Sequence, residues 1–282
     1  MKTLDRLKFI ILFLLFISQT YAQYSNPNSY KKPFVTFDLN FGYAAPSFDL
    51  AGTNIKDFYN LSNYATQNGF NANFTTKFTI ANLQPDWQVR TYLTIAYAQF
   101  MGSEDRASNI GGFIKTGWPR TGLQDSLSPF TKISDTTGKS SIRLNHPYIA
   151  YGWEMAWYPD RNRKSVINFG LDFDISVIFG RIYDQPTGKA EIYNNIIANT
   201  RLGLGVNLGY SYRVVNMLGL TIGTRMQISN LFTKKYEEVT NGGDLPLIDE
   251  ANNGITSLLS KNRSIGFFGI YGGLTFYIGG TK

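Results

Sequence analysis

The sequence predicts an all-β protein, an eight-stranded antiparallel up-and-down transmembrane β-barrel, and three observations carry that prediction. Eight segments alternate apolar and polar residues with the period of a strand. The connections between them are short and long in strict alternation, the pattern of tight turns at one rim and long loops at the other. Inside the segments every charged residue falls on the parity opposite the apolar residues, where a chance distribution would place some on the lipid face at a cost of a few kcal/mol each.

The N-terminus is set apart first. Lys2, Arg6 and Lys8 flank the apolar run "FIILFLLFI", which is too short for a stable spanning helix and ends at the small-residue site "TYA". Residues 1–22 are expected to be a secretory signal peptide that is cleaved, with an N-terminal membrane anchor as the alternative. Residues 23–33, which include "SNPNSYKKP", are expected to be an exposed periplasmic leader, and 34–282 the barrel. The chain has no cysteine, which excludes both a disulfide framework and a lipid anchor on an N-terminal Cys. Its formal charge of +7 includes three basic residues and one acidic residue of the signal segment, and the remaining basic residues form no stripe. No nucleic-acid partner is expected.

The first segment, "VTFDLNFGY" (35–43), sets Val35, Phe37, Leu39, Phe41 and Tyr43 against Thr36, Asp38, Asn40 and Gly42. "ANFTTKFTI" (72–80) sets Phe74, Phe78 and Ile80 against a face containing Lys77, and "WQVRTYLTIAY" (87–97) sets Trp87, Val89, Leu93, Ile95 and Tyr97 against Gln88, Arg90, Thr94 and Ala96. "IAYGWEMAW" (149–157) carries Glu154 on its polar face, and "INFGLDFDISVIF" (167–179) carries Asp172 and Asp174. "RLGLGVNLGYSY" (201–212) has Leu202, Leu204, Val206, Leu208, Tyr210 and Tyr212 opposite Arg201, three glycines, Asn207 and Ser211. "LGLTIGTRMQI" (218–228) places Arg225 on its polar face, and "FGIYGGLTFYI" (268–278) closes the series.

"ANLQPD", "YPDRNRK" and "RVVNM" are the tight turns, expected in the periplasm with both termini. Four long external loops are expected at about 44–69, 99–142, 181–199 and 231–262. Trp87 and Tyr97 share a face ten residues apart. At about 3.3 Å per residue and a tilt near 40°, that is roughly 25 Å, the gap between two aromatic girdles. Trp157, Tyr212 and Phe276 fall in the lower girdle.

The lumen of eight strands is just wide enough to be filled by side chains. Lys77, Arg90, Arg201 and Arg225 there balance Asp38, Glu154, Asp172 and Asp174, and desolvated charges need partners. The set reads as a salt-bridged plug, with Asp172 and Asp174 pairing to Arg201 on the next strand and to Arg90 or Arg225; a selective channel would carry one sign of charge.

These features together, with Gln23 after the cleavage site, the eight alternating segments and "YGGLTFYI" near the C-terminus, resemble the small outer-membrane β-barrel family of OmpA-like and OmpX-like architecture. The chain is particularly similar to the outer membrane protein beta-barrel domain, or PorT-like, branch common in Bacteroidota. The resemblance covers nearly all of the chain after the signal segment as a periodic pattern without a diagnostic motif, and no peptidoglycan-binding domain is expected after the last strand. It implies residence in the outer membrane among its lipid and lipopolysaccharide, with envelope or secretion-system proteins as partners.

No catalytic residue, cofactor or metal site is expected. "GLGVNLG" misses the dinucleotide-binding spacing by one and no helix follows; its glycines leave lumen room for Arg201, Arg225 and Tyr271. The single histidine, His146, is placed by the sequence near the external rim beside Ser140 and Ser141, where a lipid-modifying enzyme would need it. "HPY" lacks the His-x-Ser spacing of outer-membrane deacylases. Phe113, Ile114 and Trp118 in the second loop are candidate contacts to a partner or a lid on the mouth. The expected function is that of a non-enzymatic scaffold, a binding or adhesion surface, or an accessory part of an envelope assembly. A narrow pore is the alternative, with a lipid-modifying enzyme behind it.

Overall fold

A strand alternating in this way has one face that needs apolar surroundings and two hydrogen-bonding edges that need partners, and in the computed structural model a ring satisfies both. The chain runs β1 (Val35–Phe48), β2 (Asn68–Gln84), β3 (Trp87–Met101), β4 (Asp105–Arg106), β5 (Lys139–Trp157), β6 (Ser165–Gln185), β7 (Ile192–Val215), β8 (Leu218–Phe232), β9 (Asp244–Leu245) and β10 (Ile265–Ile278). The structure describes residues 30–53, 55, 58, 62–102, 105–106, 139–185, 192–235, 244–245, 247, 249–250 and 262–279. The eight long strands pair antiparallel with their sequence neighbours, β3 joins β5, and β1 joins β10 to close the barrel. No long strand is left with an unpaired edge, the condition for crossing hydrocarbon. The two-residue β4 extends β5, and β9 lies parallel to β7 at Asn195 and Ile196.

Phe41, Ile95, Trp153, Phe173, Leu208, Ile222 and Ile270 are among the exposed apolar residues of the outer wall, while Asp38, Thr75, Arg90, Glu154, Asp172 and Arg225 are buried within. No helix among the described residues is long and apolar enough to cross a membrane; the spanning surface is made by strands. Trp87 and Trp157 face each other in register and stack with ring centroids 5.9 Å apart, fixing the level of the girdle at the turn end.

The strands run further toward the loop end than the alternation predicts, and there the polarity of the wall inverts. On β3, β5 and β6 the inward residues become Ala98, Phe100, Ile142, Leu144, Ile178 and Ile182, all buried, while Gln99, Arg143, Asn145 and Arg181 face out. Above the bilayer the outer wall meets water and the interior is dry, so the same period carries the opposite assignment. One expected loop shrinks in consequence: the third, read as 181–199, narrows to 186–191 because β6 and β7 keep pairing up to Asp184 and Ile192.

The outer band can be probed by depth. Phe173→Arg, at mid-height of β6 and 58% exposed, is expected to cost about 2–4 kcal/mol of folding free energy in lipid vesicles, against about 0–1 for Ile167→Arg beside the turn-end girdle. Equilibrium unfolding of the two variants would show equal costs if the band faced water.

Candidate functional site

The centre of the lumen is filled by two ion-pair groups. Lys77 from β2 binds Asp38 of β1 at 2.9 Å and Glu154 of β5 at 3.1 Å, and Arg90 of β3 binds Glu154 at 2.6 Å while donating to Asn168 of β6. Arg225 of β8 forms a bidentate pair with Asp172 of β6, Nη2 to Oδ1 at 2.6 Å and Nη1 to Oδ2 at 2.9 Å, and its Nε donates to Gln227. The Tyr92 hydroxyl donates to Asp172 at 2.6 Å and accepts from Asn207 at 2.7 Å. The guanidinium of Arg225 also stands 5.3 Å from the centre of the Tyr148 ring. A cavity of about 30 Å³ remains here, lined by Asp38, Lys77, Tyr92, Glu154, Arg225 and Tyr271 among others, room for a water molecule or two.

Gly205 is part of the same fit. A Cβ at that position would stand 2.5 Å from both Nη2 of Arg225 and Oδ1 of Asp172. The glycines of "RLGLGVNLGYSY" are thus where an ion pair crosses a narrow interior, as at Gly223, where a Cβ would meet the Tyr271 ring at 2.5 Å.

Arg201 corrects the expected pairing. It binds neither Asp172 nor Asp174; it forms a bidentate pair with Asp249 of the fourth loop, Nε to Oδ2 at 2.7 Å and Nη2 to Oδ1 at 2.8 Å. Arg201 sits at the loop end of its segment, so the carboxylate that reaches it comes from the chain folded into the mouth. Asn230 donates to Asp249 at 2.9 Å and accepts from the Ile265 backbone, and Lys235 N–H points at the same carboxylate at 3.3 Å. Beside this clasp, Leu50, Ile55, Phe58 and Tyr64 of the first loop join Leu245 and Leu247 of the fourth and the inverted wall residues in one buried apolar cluster. Tyr64 donates to the Leu247 carbonyl at 2.8 Å, and Arg263 lies 4.0 Å over the Tyr64 ring. Burial pushes the Tyr64 phenol well above its ordinary range and pulls the Arg263 guanidinium down.

The turn end is closed as well. The leader is expected to be exposed, yet Tyr30 is only 9% exposed and its backbone N–H donates to Asn162. Arg213 of β7 is sandwiched by aromatic rings, 5.0 Å from Tyr30 and 4.0 Å from Tyr277. It also donates to the Lys31 carbonyl at 3.3 Å. Lys32 reaches the Gln84 and Trp87 carbonyls, and burial with Arg163 nearby lowers its pKa.

Two further expectations change. His146 is 1% exposed inside the barrel, stacked on Tyr148 at 5.1 Å and flanked by Phe100 and Phe267, because its even number puts it on the same face as Ala150 and Glu154. It is therefore not on the rim. Asp174, also 1% exposed, has Gln227 as a polar neighbour and forms no ion pair with any described cation. Phe113, Ile114 and Trp118 lie outside the described residues. Sequence reasoning missed Tyr92 and Arg213, which parity alone would have placed inside, and Asp249 and Arg263, for which no periodic signal exists. No group of three or more His, Cys, Asp or Glu able to hold a metal occurs among the described residues.

No protein-family model matches the chain. No curated protein matches it either. Among solved structures it is similar to Ail, the attachment invasion locus protein of Yersinia pestis, in complex with the heparin analogue sucrose octasulfate, at 10% identity over 86% of this chain and 99% of that one, with a TM-score of 0.34. It is also similar to Neisserial surface protein A, at 12% identity over 86% and 97% of the two chains and a TM-score of 0.34. The outer membrane protease OmpT from Escherichia coli is similar at 10% identity over 92% and 100%, with a TM-score of 0.39.

Removing one member of a buried pair should separate paired from unpaired carboxylates. Asp172→Asn strands Arg225 and is expected to cost about 3–5 kcal/mol, whereas Asp174→Asn removes a buried charge without a cation partner and should leave stability unchanged or raise it. Equal losses in equilibrium unfolding would contradict the geometry. Asp249→Asn is expected to release the fourth loop, seen as protease cleavage between residues 233 and 264 at least several-fold faster than in the parent while the strands stay protected.

Proposed function

We propose that this chain is a closed, non-conducting integral outer-membrane barrel that acts as a scaffold, holding its loop end as a binding or adhesion surface, with no enzymatic chemistry of its own. The observation that carries the reading is the obstruction of the lumen at three levels. Tyr30 and Arg213 lie across the turn end, the Lys77, Glu154, Arg90 and Asp172, Arg225 groups fill the middle, and the apolar cap with the Arg201–Asp249 clasp fills the mouth. The apolar outer band and the charged, short-cored segment at residues 1–22 support an outer membrane as the location.

The narrow pore is the second reading, and a central cavity of about 30 Å³ argues against it. A lipid-modifying activity would need a histidine at the rim, and His146 is walled in by aromatic rings. The sequence pattern supports a PorT-like barrel of Bacteroidota that serves an envelope or secretion assembly through its loops.

Purified protein in planar bilayers is expected to give no steady conductance, and the double variant Asp172→Asn, Asp174→Asn no conductance different from it. A steady current that changes on neutralising those two carboxylates would sink the closed reading in favour of the pore. Crosslinking in native membranes should retrieve a specific envelope partner through the loops; recovery of lipid alone would remove the assembly role.

A further inference from the structure

The turn end carries positive charge that the barrel does not balance. Lys31 and Lys32 of the leader and Arg161, Arg163 and Lys164 of the β5–β6 turn stand against two carboxylates on the turns, Asp86 and Asp160. Asp160 is committed to its own turn, accepting from the backbone N–H of Lys164 at 2.9 Å and of Ser165 at 2.8 Å. Asp86 favours the Lys32 charge, but burial and the nearby Arg163 outweigh it and lower the Lys32 pKa.

Three segments distant in sequence enclose an open hollow of about 450 Å³ there, lined by Lys31, Lys32, Asn82, Gln84, Pro85 and Arg163. Its lining has three cations and no carboxylate. Lys32 is fixed from behind: Nζ donates to the Gln84 carbonyl at 2.9 Å and to the Trp87 carbonyl at 3.1 Å, and it lies 5.4 Å from the centre of the Tyr158 ring. Tyr158 is buried and its hydroxyl donates to the inward Gln88 at 2.6 Å, so the hollow opens below the lumen and not on the lipid-facing wall. Asn82 accepts from Gln88 at 3.0 Å through Oδ1, which leaves its amide N–H groups as what it offers a ligand.

Arg163 is the member whose presence the turn does not explain. Its backbone N–H donates to the Asp160 carbonyl at 3.0 Å, closing the turn with a φ of 55°, in the left-handed region. Glycine takes that conformation without a Cβ penalty. The turn carries an arginine there instead, whose Nη2 reaches across to the Pro85 carbonyl of the β2–β3 turn at 3.5 Å and brings the guanidinium to the hollow. A strained position filled by a long cation points to a use for the side chain.

We propose that the hollow between the leader and these two turns binds an acidic peptide segment of a partner protein, Lys31, Lys32 and Arg163 pairing with its carboxylates and the side-chain amides of Asn82 and Gln84 with its backbone. The guanidinium fork matches a carboxylate in two hydrogen bonds, and the lysines meet a second one as point charges. A bound carboxylate turns the repulsion between Lys32 and Arg163 into a shared attraction. The two amides favour a peptide over a bare anion, since they add groups that match peptide N–H and C=O. That the partner is periplasmic rests on the outer-membrane reading above; the carboxylate chemistry does not.

The test uses the full chain in phosphatidylcholine nanodiscs, with fluorescein-labelled hexaglutamate as the probe and fluorescence anisotropy as the readout. The parent protein is expected to bind the peptide, more weakly as salt rises, and R163G to bind it about tenfold or more weakly while unfolding at no lower a temperature, because glycine relieves the turn. R163K, which keeps the charge and loses the fork, should fall between them, and R143Q at the loop end should bind as the parent does. If R163G does not fold, K31Q, on an exposed side chain, carries the comparison with a smaller loss in the same direction. Equal binding of hexaglutamine, or losses of the same size in R143Q and R163G, overturns the site. Full displacement by millimolar inorganic phosphate overturns the peptide and leaves a site for free phosphate. Phosphatidylglycerol kept by the parent and lost from R163G in native mass spectrometry overturns it in favour of a lipid headgroup. Binding is read without ion current and without a loop-end partner, so a conducting barrel would refute the closed lumen and not this site.

Discussion

The pairing of β1 with β10 is the constraint on which the rest of the molecule depends. Hydrocarbon offers no water to the N–H and C=O groups of an edge strand, so a sheet that enters it must close on itself. Closure with eight long strands fixes a narrow interior, and a narrow interior decides what the inward positions can be. A channel wide enough for water would let charges stay solvated; here they are taken out of water, and Lys77, Arg90 and Arg225 find counter-charges within reach in Asp38, Glu154 and Asp172. Arg225 and Asp172 meet that need only because β7 offers Gly205 between β6 and β8, where a single added carbon would contact both.

The second consequence of closure is that the barrel has two solvents along its length. Within the bilayer the outer face is apolar and the lumen polar. Beyond it the outer face turns polar, and Phe100, Leu144, Ile178 and Phe267 pack inside with the first and fourth loops. The upper part is in effect the core of a water-soluble barrel continuous with the membrane part. That core is what holds the loops in, since Leu50, Phe58 and Leu247 find in the mouth the dry environment that water above it denies them.

This division explains how much the sequence could tell. The strands were legible wherever lipid dictates the pattern: Phe169, Leu171, Phe173 and Ile175 allow one reading only. They were illegible above the bilayer, where "SIRLNH" inverts the assignment and looks like loop, and where "YNNIIANT" concealed the continuation of β7 and made the third loop look long. Parity correctly put Arg90, Glu154, Asp172 and Arg225 inside, but it carries no information on partners. Arg201 shares the inward face with Arg225 and stands opposite Ser176 of β6, and yet takes its carboxylate from Asp249, 48 residues on in a segment without period. His146 shows the converse: its parity places it inside with Ala150 and Glu154, and only its distance along the chain suggests the rim.

A surface held this way differs from four free loops. A binding partner that must order flexible chain loses about 0.5–1.5 kcal/mol for each side chain immobilised, and that loss falls when the chain is already fixed. The first and fourth loops are anchored by Tyr64, Arg263 and the Arg201–Asp249 clasp before any partner arrives. The wall beneath them is fixed by ladder hydrogen bonds up to Lys139 and Gln185. The ion pairs of the lumen hold that wall from within. The charges inside this barrel therefore serve a mechanical end, a loop platform whose shape is set before binding.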